Sequence, residues 1–229
     1  MDVVGLLLFV RDADCDLSLS FQCRAGLIPI QCEKRGRFVV KALEQTSFPE
    51  VAERINALYS EDDDALLLAM LGQEYVVRHE GIFLHGQKAP DSHAGVILEY
   101  VFSPGTVLSM LPWRSIGDFT GQAAPADFRK KVELPIAQYA GDVVARANTV
   151  LEMIDAKTVP SLINSDLAIT VRALPKVLLH VEFSQESQDF PAEAWVLFSQ
   201  NANEFLSVAS MQALAEIFKE RLLGLLRIY

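Results

Sequence analysis

Basic charge is scarce in this chain, and cysteine is scarcer. Its 229 residues carry 20 Lys and Arg against 30 Asp and Glu, a net charge of −10. Phosphate contacts need Lys and Arg. The densest basic run, Arg129-Lys130-Lys131, is too short to offset the global charge. Neither a nucleic acid nor an anionic membrane is therefore expected as a partner. Cys15, Cys23 and Cys32 form no C-x-x-C pair, so the zinc and iron–sulfur spacings are missing. Three free thiols fit a reducing cytoplasm. The apolar run "VVGLLLFV" over residues 3–10 is too short to span a bilayer. It also lacks the basic flank and small-residue cleavage site of a secretory leader. There is no P-loop, no G-x-G-x-x-G after a strand and no G-x-S-x-G elbow, which removes the common nucleotide-binding and hydrolase signatures.

What is present is a globular composition, 51% hydrophobic and 22% charged, in a chain long enough to bury a large core. The runs 3–10, 17–23, 27–32 and 37–43 read as strands of a small meander, with Pro29 demoting the third to an edge. Ser47-Phe48-Pro49-Glu50 predicts a helix start with Ser47 as cap and Glu50 closing a capping box, the helix running to about Leu58. "SEDDD" (60–64) lacks the alternating ligands and central Gly of a calcium loop, and reads as a solvated turn. Strands are expected at 65–71, 74–78 and 81–84. "HAGVILEYVF" (93–102) fits strand or helix. Two helices should follow, parted at Gly141 with Asp142 as cap, and Pro135 should kink the first.

The C-terminal third is the most patterned. "LAITVRAL" and "KVLLHVEF" flank Pro175 as a hairpin, "EAWVLFS" adds a strand, and Leu214, Ile217, Phe218, Leu222 and Leu225 recur at helical spacing. If Pro175 centres the hairpin, Thr170 opposes His180 and Ala168 opposes Glu182. One sheet face then carries Thr170, Arg172, His180 and Glu182. Ile169, Val171, Leu179, Val181 and Phe183 line the other. A His beside a carboxylate and an Arg suits acid–base work on a small anionic substrate, which makes His180, Glu182 and Arg172 the candidate catalytic residues. The same alternation is what the solvent face of a sheet buried on one side shows.

Other constellations are weaker. His79, His85 and His93, with Glu80 and Asp91, match no metal-ligand spacing, so no metal and no cofactor is expected. Glu99 lies among large apolar residues, where an unpaired carboxylate is costly; the polar stripe of a helix would accommodate it. Trp113-Arg114 is a candidate pair at a ligand mouth, and a lone Trp after Leu111-Pro112 also suits a core plug.

Leu174-Pro175-Lys176-Val177, Asp189-Phe190-Pro191-Ala192, Val196-Leu197-Phe198 and the Ser165-Asp166 pair before the hairpin together resemble a prokaryotic family catalogued as domain of unknown function 3786. The resemblance covers residues 45–229. The family's Trp falls on Ser184, its acidic cluster is reduced to Ser187-Gln188-Asp189, and its Asp after the last strand is Ser199. Asp189 is thus the surviving acid of that cluster and a candidate ligand contact. The family brings no activity with it.

These patterns predict an α+β fold: mainly antiparallel sheet covered by helices, with a long amphipathic C-terminal helix. Residues 1–229 are read as a single domain, with 1–44 an N-terminal β-meander extension and 45–229 the family-like region. The expected function is a non-enzymatic cytoplasmic domain binding a protein partner or small ligand. The alternative is an enzyme using the His180 face. Phe190 and Trp195 are expected to anchor the loop between the last two strands to the core. Nothing in the pattern sets the oligomeric state.

Overall fold

The computed structural model describes residues 6–10, 17–23, 26–29 and 43–228 except 106, 109 and 122–125, with backbone alone before residue 30 and at Ala126. Strands β1 (Leu6–Val10), β2 (Leu17–Cys23) and β3 (Gly26–Pro29) form an antiparallel meander. Pro29 pairs with Ser20 at the open edge of β3, where a missing N–H costs nothing. The expected strand over 37–43, like Cys15 and Cys32, falls outside the described residues apart from Leu43 itself.

Helix α1 (Phe48–Ile55) starts at Ser47 with Pro49 in its first turn, but the Ser47 hydroxyl makes no capping bond. The expected capping box is absent. The helix also ends earlier than Leu58: Asn56 takes a left-handed conformation, φ 59°, which Asn tolerates better than most residues. Leu58 instead opens β4 (Leu58–Ser60). There follow β5 (Ala65–Met70), β6 (Gln73–Arg78), β7 (Gly81–Leu84) and β8 (Gln87–Lys88), a five-stranded antiparallel sheet in chain order. Leu71 and Gly72 form the β5–β6 turn, both at positive φ. The ambiguous run 93–102 lies in a helix, α2 (Asp91–Phe102).

Pro135 shapes the next segment. α3 (Ala126–Phe128) continues through a π-turn, Arg129–Glu133, into α4 (Leu134–Ala137). Pro135 has no N–H to give Lys131 four residues earlier. The Lys131 carbonyl accepts the Lys219 ammonium instead, at 3.1 Å. Gly141 and Asp142 lie inside α5 (Ala140–Ala145), so they neither break nor cap the segment as expected. The breaks fall at Gln138-Tyr139, between α4 and α5, and at Arg146, before α6 (Ala147–Met153).

β9 (Ala156–Thr158), β10 (Leu167–Leu174), β11 (Val177–Ser184) and β12 (Glu193–Phe198) form a four-stranded antiparallel sheet in the order β12-β11-β10-β9. Ala168 opposes Glu182 and Thr170 opposes His180, as the hairpin arithmetic predicts. The register slips between Arg172 and Leu174. The Ala173 carbonyl freed by this bulge accepts the Leu71 N–H from the tip of the other sheet, at 3.1 Å. Helix α7 (Val208–Ile228) buries Leu214, Ile217, Phe218, Leu222 and Leu225, the expected stripe. Each such side chain contributes about 2 kcal/mol of burial. The five-stranded and four-stranded sheets, α1, α2 and α7 share one apolar core cluster among the described residues. The fold is α+β, with antiparallel sheets and a long C-terminal helix.

Candidate functional site

Alternation puts His180 and Glu182 on one face of β11 and Leu179, Val181 and Phe183 on the core face. Expected as a wet surface, the first face is sealed: His180 and Glu182 are each 1% exposed. Two loops do the sealing. Trp113 lies over the imidazole, ring centroids 5.1 Å apart and planes 25° from parallel. Its loop is tied to the sheet by main-chain bonds between Arg114 and Phe198, 2.8 and 2.9 Å. On the other side, the turn 161–165 closes over the carboxylate.

Glu182 has four donors. Oε1 accepts the Leu162 N–H at 2.6 Å and His180 Nε2 at 2.9 Å. Oε2 accepts the hydroxyls of Ser161, at 2.6 Å, and Ser165. Ser161 Oγ in turn receives the Ser165 and Ile163 N–H groups. Burial pushes the Glu182 carboxyl up. The bonds from Ser161, Ser165, His180 and Leu162 outweigh it and hold the group below the ordinary glutamate value. An ionised Glu182 accepts from Nε2, so in the neutral ring Nε2 carries the proton and Nδ1 keeps its lone pair. Nδ1 is buried and has no hydrogen-bond partner among the described residues.

The other candidates divide. Arg172 shares the face in sequence but turns away, half-exposed, to Asp155 at 3.5 Å. Arg114 contributes its main chain, and its side chain is exposed. Asp189 is exposed on the loop before β12. Phe190, expected to anchor that loop, is 72% exposed; the main chain holds the turn instead, the Ser187 N–H donating to the Phe190 carbonyl at 2.9 Å. Trp195 is half-buried opposite Glu182. The structure thus unites Trp113, His180 and Glu182 and leaves Arg172 and Asp189 outside. Ser161 and Ser165 are the residues that pattern reading missed. The signal was "PSLINSD": two hydroxyls four apart around Asn164, which sits at φ 63°.

The histidines of the metal hypothesis are dispersed. His79 Nδ1 meets the Leu43 carbonyl at 2.7 Å and Nε2 meets Asp64 at 3.0 Å. His93 Nδ1 meets the Tyr75 hydroxyl at 2.7 Å, and burial lowers the pKa of His93 while raising that of Tyr75 to about 12. Among the described residues no three His, Cys, Asp or Glu side chains gather to hold a metal. Nor does any described helix reach the length and apolarity needed to cross a membrane. A hollow of about 320 Å³ lies elsewhere, along α7, lined by Lys219, Glu220, Leu223, Gly224 and Arg227.

A small α+β domain with a capped His–Glu pair is the class these features define. Residues 47–221, more than half of the chain, match the family described as domain of unknown function (DUF3786), and the chain belongs to that family. No curated protein and no solved structure matches it.

Proposed function

We propose that this chain is a non-enzymatic cytoplasmic domain that docks a partner protein on the loops sealing the His180 face. One observation carries the reading: the residues that close the face turn apolar side chains outward. Leu111 is 63%, Leu162 58% and Ile163 53% exposed. Leu111 lies two residues from Trp113, which covers His180, and the Leu162 N–H holds Glu182, two residues further along β11. Exposed apolar groups gathered on such loops are characteristic of interaction sites. Asp166, next to Ser165, is exposed and bonded to the Gln185 N–H at 2.7 Å, and Glu186 and Asp189 are exposed on the loop that follows. The matching partner presents apolar side chains flanked by Lys or Arg. The acidic composition and the absence of a disulfide or zinc pattern support a cytoplasmic setting.

The enzyme reading draws on the oriented imidazole, and Arg172 counts against it: its guanidinium is engaged by Asp155 rather than poised for an anion.

A photo-crosslinking residue at Leu162, compared with one at the exposed Leu58 on β4, tests the docking reading. The expected result is one discrete partner, with a basic segment at the crosslink, from position 162 alone, weakening as salt rises. Identical adduct patterns from both positions, or adducts only between copies of this chain, would sink it.

A further inference from the structure

The docking reading leaves one atom unexplained, His180 Nδ1. Buried polar atoms are nearly always paired, and an orphan acceptor costs about 1–3 kcal/mol. The ring cannot relieve this by turning over, because Nε2 is fixed by Glu182, and Glu182 by three further donors. The nitrogen is held in place facing a position that lacks a donor.

The surroundings specify what that donor should be. In the neutral ring the Nδ1 lone pair is an acceptor. Behind the ring stands an ionised carboxylate, which makes the imidazole more electron-rich. Above it lies the indole face of Trp113, the best aromatic partner for a cation. Asp166, next to Ser165, is exposed and bonded to the Gln185 N–H, and Glu186 and Asp189 are exposed on the loop that follows Gln185. Thr170, opposite His180, is half-buried and brings only a hydroxyl. Arg172, the basic residue sharing this face of β10, is paired outward with Asp155. The acceptor, the carboxylate behind it and the indole above it favour a positive N–H donor over an anion; Lys157, which pairs with Thr170 from β9, is the basic residue at the far side of this face.

We propose that Trp113 is the cover of a recognition site for an alkylammonium or guanidinium group, such as the end of a Lys or Arg side chain. This deepens the docking reading and rests on it: the partner's basic residue would be the occupant. Trp113 rotates about its side-chain bonds while the Arg114–Phe198 main-chain bonds hold its loop to β12. The cation takes the space beside the imidazole, donates to Nδ1 and stacks on the displaced indole.

The test is an imidazole ¹⁵N titration of the full chain with n-butylammonium chloride, and with sodium butyrate as the anionic counterpart. The expected result is a saturable upfield shift of His180 Nδ1, leaving the lone-pair range. A change in Trp113 fluorescence should give the same midpoint, and the preference for ammonium over carboxylate should be about tenfold or more. An unmoved Nδ1, or an equal response to butyrate, overturns the proposal. Trp113→Phe, which keeps a ring over His180, should lose the fluorescence change and keep the Nδ1 shift. The two readings fail separately. Docking at Leu162 without an amine-dependent shift removes this site alone. An amine-dependent shift in a chain with no partner crosslink at Leu162 removes the docking reading alone.

Discussion

Glu99 accepts both the N–H and the hydroxyl of Ser207, at 2.7 and 3.2 Å, across 108 residues of sequence. The carboxylate on α2 thereby fixes the start of α7. Ser207 passes the arrangement on: its Oγ accepts the Ser210 N–H at 3.2 Å, as an N-cap hydroxyl does. A carboxylate at a helix start also opposes the positive end of the helix dipole. Replacing Glu99 by Ala should cost about 1–2 kcal/mol, read as a lower denaturant midpoint. Glu99→Gln, which keeps an acceptor oxygen for the N–H, should recover part of it. Equal loss in both variants would mean that shape rather than hydrogen bonding carries the effect.

Gly72 is the second point at which distant parts are tied together. Its φ is +73°, and a Cβ there would stand 2.3 Å from the Met153 carbonyl oxygen. That atom belongs to main chain and cannot swing aside. Gly72→Ala therefore combines backbone strain with a collision at the end of α6. We expect a loss of about 3 kcal/mol or more, against about 1–2 kcal/mol for Gly86→Ala, where φ is likewise positive, +75°, and nothing lies within 4 Å. Thermal melts of the two variants make the comparison.

The hairpin shows how far the sequence carried. Period-two alternation and Pro175 located the pairings of His180 with Thr170 and of Glu182 with Ala168, because strand geometry links position to face without reference to anything else. Alternation does not report what covers a face. Trp113 and Ser161 reach His180 and Glu182 from irregular segments 67 and 21 residues away, a separation no local pattern encodes. Arg172 was grouped with His180 by the same alternation, and the nearby Asp155 decided its direction. The C-terminal helix was legible because one stripe faces one core. Phe190 was misplaced because a Phe beside Pro191 in a loop carries no periodicity to fix its burial.

His79 has acceptors at both ring nitrogens, the Leu43 carbonyl and Asp64, and lies flat on Phe48 with ring centroids 4.4 Å apart. Two acceptors favour the doubly protonated ring. Burial pulls its pKa down, but the bonds to Leu43 and Asp64 and the charges of Asp64 and Glu80 together leave it raised. Nearby Arg78 is engaged by Asp63 and Glu80. A raised pKa means that the folded state binds the proton more tightly. The stabilisation is therefore complete below about pH 6.5, the unfolded value, and disappears as pH rises through the folded value. His79→Phe should remove that slope while keeping the stack on Phe48. His93, lowered by burial, has the opposite slope and cancels in the difference between the two proteins. Parallel stability–pH curves for the two would refute the assignment.

Glu182 should behave in the reverse sense. Its folded pKa is depressed, so its stabilisation is present above the unfolded glutamate value of about 4.3 and is lost as pH falls through the folded value. Removing the carboxylate orphans two hydroxyls, the Leu162 N–H and His180 Nε2. Glu182→Ala should cost about 3 kcal/mol or more at neutral pH. Ser165→Ala removes one donor and should cost about 1 kcal/mol; Ser161→Ala also takes the acceptor from the Ser165 and Ile163 N–H groups and should cost about 2 kcal/mol. Both should shift the acid-unfolding midpoint toward higher pH, because a carboxylate with fewer donors protonates earlier. If the midpoints of the serine variants do not move, Glu182 does not draw its charge stabilisation from the 161–165 turn. The closure of that turn over the sheet would then rest on main-chain contacts such as the Asp166 N–H to the Phe183 carbonyl, at 3.0 Å.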